Sequence, residues 1–148
     1  MTTTTAAHQA PPERAVPRVA ALTSVAALAT NLSIFAGARV ADISFEFPKP
    51  GSAAGTETVS AGAVLAATLL TMTVGWILVG LAAWRQRPAL GTMAILGGGF
   101  AVVSALAPLA LEGDLTARLT LASLHLVTGA FFMTGIARLR PSDIRTIR

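Results

Sequence analysis

The stretch "AGAVLAATLLTMTVGWILVGLAAWR", residues 61–85, decides the fold. It runs from Ala61 to Trp84 without an Asp, Glu, Lys or Arg, and the first charge is Arg85. A helix crosses the hydrocarbon core of a bilayer with about 20 apolar residues, and this run exceeds that length. A buried helix of a water-soluble protein is shorter and keeps one polar face; this run has none. It therefore predicts a transmembrane helix.

Three further runs have the same character. Residues 19–38, 88–111 and 119–137 are equally free of charge, so the chain predicts four spans, the last reaching about 118–139 with its flanking arginines. Composition agrees: 53% of the 148 residues are hydrophobic and 12% charged, with a mean hydropathy of +0.67. The first run competes with a cleaved signal peptide, since "FAGA" at 35–38 has the small residues of a cleavage site. Its apolar stretch exceeds the usual 7–15 residues and follows a long polar head, so it reads as a retained helix.

The basic residues orient the spans. Arg14, Arg18, Arg85, Arg87, Arg138, Arg140, Arg145 and Arg148 fall on one side, and only Arg39, Lys49 and Arg118 on the other. Eight of the eleven bases on one side is the asymmetry of the positive-inside rule. Both termini are expected in the cytoplasm, with the plasma membrane as the location. The net charge of +4 is then a product of topology. The bases form no stripe with interleaved aromatics, so no nucleic-acid partner is expected. The bilayer itself is the expected partner. Residues 1–18, rich in Thr, Ala and Pro, are expected to be a disordered cytoplasmic head, and residues 140–148 a basic cytoplasmic tail.

The outer loop, residues 39–60, carries a pattern of its own. Ile43, Phe45 and Phe47 alternate with Asp42, Ser44 and Glu46, the period of a strand with one apolar face. Pro48, Pro50 and Gly51 turn the chain, and "TETVS" at 56–60 returns as a second strand. The apolar face Ile43, Phe45 and Phe47 has two readings: a lid packed on the helix ends, or a contact surface for a partner or ligand. The fold expected is thus an all-α membrane protein. It is an antiparallel four-transmembrane-helix bundle with a short β-hairpin-like outer loop between helices 1 and 2. The links at 85–87 and 112–118 are short, which makes consecutive helices antiparallel neighbours.

A few polar residues interrupt the spans. Asn31 lies eight residues before Arg39, Ser104 eight before Glu112, and His125 seven after Arg118. At about 1.5 Å per residue these share a depth of roughly 10–12 Å beneath the outer boundary, and Thr68 joins them. The four, Asn31, Thr68, Ser104 and His125, form a candidate intramembrane polar layer. Such groups serve as interhelical hydrogen bonds, or they mark a pathway or pocket. A proton relay needs a second ionisable group at that depth, and no span contains Asp, Glu, Lys or Arg. Small residues recur every four positions: Ala29, Ser33 and Gly37; Ala63, Ala67, Thr71 and Gly75; Gly97, Ala101 and Ala105. Rows of this kind let membrane helices approach closely.

Several chemistries find no residues. The chain has no cysteine, so thiolate metal sites and disulfides are excluded. No HExxH or GxSxG motif appears and no span pairs two carboxylates, so no enzyme, metal or cofactor is expected. The "ISFEFP" of the outer loop, the "GW" at 75–76, "SALAPLA" at 104–110 and "LHLVTGA" at 124–130 resemble a family of small four-pass membrane proteins of actinomycetes. That family is catalogued as a domain of unknown function. The resemblance implies four spans in the plasma membrane and supplies no activity. The function expected is a non-enzymatic bundle that associates with itself, as a homo-oligomer, or with a larger membrane protein. The alternative is a small carrier, channel or lipid binder with an outward-facing pocket near His125.

Overall fold

The computed structural model describes residues 15–49, 55–85 and 89–139. Four helices account for nearly all of them: α1 (Ala15–Val40), α2 (Ala61–Arg85), α3 (Ala89–Leu109) and α4 (Leu115–Arg138). Each is long and apolar enough to cross a membrane. Large apolar side chains such as Leu70, Ile95, Val103 and Leu119 point away from the bundle and are more than half exposed. Water would penalise that surface, whereas lipid accepts it.

Helix boundaries follow local chemistry. α1 is already helical at Ala15, the first described residue, so it extends ahead of the expected Val19, and Pro17 lies near its N-terminal end, where a proline is tolerated. It ends in a Schellman motif around Asp42, whose φ of 56° lies in the left-handed region. There the Ile43 N–H donates to the Ala38 carbonyl at 3.0 Å, and the Asp42 N–H to the Arg39 carbonyl at 3.2 Å. Ser60 caps α2 by accepting from the Ala63 N–H at 3.1 Å. Asp114 caps α4 by accepting from the Ala117 N–H at 2.8 Å, so α4 starts at Leu115, ahead of the expected residue 118. Arg118 then reaches back to donate to the Leu109 carbonyl, one of the orphan acceptors at the end of α3. The rest of the expected head, residues 1–14, and the expected tail at 140–148 lie outside the described residues.

The outer loop forms the hairpin. Strand β1 (Glu46–Pro48) pairs antiparallel with β2 (Thr56–Thr58), with Phe47 opposite Glu57. Its apolar face turns inward, onto the ends of the helices. Phe45 is completely buried and lies 4.8 Å from Phe35 between ring centroids. Phe47 is buried against Gly113 in the α3–α4 turn, and Ile43 is half-buried in the same cluster. Ile43, Phe45 and Phe47 thus form the underside of the hairpin, packed on the helix ends. A two-strand hairpin is marginal alone, and these rings gain more by packing on the helix ends.

The helices are arranged around an arc in the order α2, α1, α4, α3, with α4 against both α1 and α3. This revises one expectation: α2 and α3, although joined by a short link, touch only weakly. Gly129 of α4 lies so close to Ala101 of α3 that a Cβ there would overlap the alanine methyl. Gly135 is closed over by Trp76 and Thr23. Gly97 and Ala101 thus do pack a neighbouring helix. The α1 row Ala29, Ser33 and Gly37 instead faces outward, and Ala63, Ala67 and Thr71 of α2 are exposed as well.

A polar layer and a lateral cleft as the candidate functional site

The four polar residues expected at one depth come together as two separate groups. In the first, Asn31 of α1 is 1% exposed and donates both amide protons, to Thr68 Oγ1 of α2 at 3.0 Å and to Thr128 Oγ1 of α4 at 2.9 Å. Thr128 passes its own proton to the Leu124 carbonyl at 2.8 Å. Asn31 Oδ1 has no partner among the described residues. The second group joins Ser104 of α3 to His125 of α4, with 3.2 Å between Oγ and Nδ1. Ser104 Oγ also donates to the Ala101 carbonyl at 3.1 Å.

Thr128 is the member that depth reckoning from the sequence missed. It lies three residues beyond His125, on the face of α4 that meets α1. The signal was present, because a threonine inside an apolar span needs a hydrogen-bond partner. His125 has a different place from the one a central peg would take: its side chain is exposed rather than enclosed by the bundle. Asn31 fills the central role. Membrane interhelical hydrogen bonds average about 0.6 kcal/mol with a maximum near 1.7, so Asn31→Ala, which deletes two, is expected to cost about 1–3 kcal/mol. Thermal denaturation in detergent measures this, and Thr68→Val should add little in the Asn31→Ala background. A full additive loss would show that the two side chains act independently.

Between α2 and α3 the arc leaves a cleft of about 850 Å³. Asn31, Thr68, Ser104, His125 and Thr128 all line it, among predominantly apolar neighbours. Leu70, Val74 and Leu78 on α2 form one lip, and Leu96 and Phe100 on α3 form the other; all are exposed. Since these lips occupy the middle of the spans, the cleft opens sideways, toward lipid. Val59 of the hairpin and Pro108 line its end nearest the hairpin. Phe132 of α4 forms the opposite end, wedged between two glycines. A Cβ at Gly75 would meet its ring at 2.8 Å, and one at Gly97 at 2.5 Å. The wedge holds α2 and α3 apart, and Trp76 supports it edge-on at 5.5 Å.

None of the lining residues is Asp, Glu, Lys or Arg. Among the described residues no cluster of His, Asp and Glu could hold a metal ion. Ser104 and His125 are the one hydroxyl–imidazole pair among the described residues, and the spans contain no carboxylate to orient the ring.

Residues 11–142 match the family model described as a family of unknown function, DUF6069. The chain belongs to that family. The match takes in the hairpin, all four helices and every residue of the cleft. No curated protein and no solved structure matches the chain.

Proposed function

We propose that this protein is a non-enzymatic binder of an apolar small molecule or lipid chain, held in the cleft between α2 and α3. The setting is the plasma membrane, with both termini cytoplasmic, a topology supported by the distribution of arginines. The cleft itself carries the reading. Its 850 Å³ falls within the roughly 300–1,000 Å³ typical of small-molecule sites. The pocket near His125 that the sequence placed toward the outside opens laterally instead, so entry is from the bilayer.

Ala67 supplies the test, because it faces the cleft from α2 and is exposed. Protein extracted gently from membranes is expected to carry an apolar ligand in native mass spectrometry. Ala67→Phe should lose that ligand and keep its melting temperature within a few degrees. Ligand retention in a folded Ala67→Phe protein would count decisively against the cleft.

A second reading, association, is favoured by the outward row Ala29, Ser33 and Gly37 on α1. A Cβ at Gly37 would meet nothing within 4 Å, which leaves a flat strip open to another helix. Crosslinking in membranes separates the two readings. Loss of dimers on Gly37→Ile with the ligand retained would show association through α1 alongside ligand binding.

A further inference from the structure

We propose that the occupant of the cleft is an uncharged, single-chain lipid whose head donates a hydrogen bond, with His125 as its principal acceptor. The proposal rests on the reading of the cleft as a ligand site and adds the chemistry of what enters it.

Depth and lining fix the charge. His125 lies ten residues into α4, roughly 15 Å along the helix from its start. A head group docked beside it sits inside the hydrocarbon region. No charged side chain lines the cleft to compensate an ion, and an isolated charge at such depth costs at least several kcal/mol. A carboxylate, phosphate or ammonium head is thereby disfavoured.

The hydrogen-bonding account fixes the polarity of the head. Ser104 Oγ donates to the Ala101 carbonyl at 3.1 Å, and in that arrangement it accepts at 3.2 Å from the Nδ1–H tautomer of His125. Nε2 is then left with a lone pair and no partner among the described residues, on a side chain that is exposed in the cleft. Two further acceptors lie close in the structure. Asn31, at the back of the cleft, has an unpaired Oδ1 because both its protons are committed. Pro108 has no N–H, so the Ser104 carbonyl four residues earlier lacks its helical donor. Nε2 and Oδ1 are thus unpaired acceptors, the Thr71 hydroxyl lines the same cleft without a partner among the described residues, and lipid tails match none of them. A hydroxyl head, donor and acceptor at once, meets this set; an ether or ester head, an acceptor only, leaves the imidazole unmet.

Size fixes the chain. The cleft continues from the His125–Ser104 pair past Gly97 to the Phe132 wedge, predominantly apolar in that stretch, with Thr71 and Thr128 as its polar members. Its 850 Å³ suits one chain of a drug-sized ligand.

Three probes of equal chain length test this: hexadecanol, hexadecyl methyl ether and ionised palmitate, each competing for the purified protein in nanodiscs against a bromine-bearing alkyl chain that quenches tryptophan. Hexadecanol is expected to bind about threefold to tenfold more tightly than the ether, the worth of one hydrogen bond, and palmitate more weakly still. His125→Phe, which keeps the ring and removes the acceptor, should erase the difference between alcohol and ether. Equal binding of all three probes by the wild-type protein, or a preference for palmitate, would overturn the proposal and leave the cleft as a ligand site. Failure of all three to bind would overturn both. The wild-type comparison decides even if the His125 variant does not fold.

Discussion

Gly129→Leu is expected to part α3 from α4 and leave a chain that no longer melts cooperatively. Even one methyl group at this position would overlap Ala101, and both residues are buried in the seam between the two helices. Overpacking costs typically 1–3 kcal/mol per site in a close-packed interior. The alanine variant should fall in that range, and the leucine variant beyond it. In a membrane the loss is not softened by a hydrophobic drive to reassociate, since lipid tails are as apolar as the helices they replace. The compensating change is specific. Ala101→Gly removes the overlapping methyl, so Gly129→Ala combined with Ala101→Gly should recover most of the stability. Melting curves in detergent measure all four proteins. If Gly129→Ala shifts the midpoint by less than about 2 °C, the close approach described between α3 and α4 is wrong.

Phe132→Ala is expected to produce the second large effect, and a different one. The ring fills the gap between Gly75 and Gly97 and packs edge-on against Trp76. Truncating a buried phenylalanine costs about 3–5 kcal/mol in protein cores. Some of this is recovered here, because two glycines are left facing each other and α2 can move toward α3. The variant should therefore be destabilised by roughly 3 kcal/mol and should close the cleft from its Phe132 end. The chain has no cysteine, so a single pair introduced at the lips, Leu78→Cys with Leu96→Cys, reports that closure directly. Disulfide formation should be faster in the Phe132→Ala background than in the wild-type background. Unchanged crosslinking would mean that Phe132 is not what holds the helices apart.

Much of this architecture is legible in the sequence because one term dominates. A charge-free run of about 20 residues has few alternatives to a membrane span, and the two-residue alternation of Ile43, Phe45 and Phe47 dictates which face of the hairpin turns inward. Depth is also legible, since rise per residue is fixed; Asn31, Thr68, Ser104 and His125 do all line one cleft. Rotation is not. Whether Asn31 meets Thr128 or His125 depends on how each helix turns about its axis. That is set by the Gly129–Ala101 and Phe132–glycine contacts, between residues far apart in the chain. The order of helices around the arc is illegible for the same reason, and with it the cleft, which exists because α2 and α3 are not packed together. The start of α4 is locally legible as well, because an aspartate such as Asp114 placed just before a helical run is a strong N-cap signal.

The pairing of Asn31 with Thr128 spans ninety-seven positions and has a consequence for biogenesis. Chains are made and inserted from the N-terminus onward, so α1 and α2 enter the bilayer well before α4 exists. During that interval Asn31 has Thr68 within its own half of the chain and nothing for its second amide proton. α4, made after the other three helices, is also the one against which α1 and α3 pack. Assembly is therefore a closing step rather than a stepwise zipping of successive hairpins. A ribosome stalled before Thr128 would present the translocon with an incompletely satisfied first helix, a state that membrane quality control can recognise and degrade.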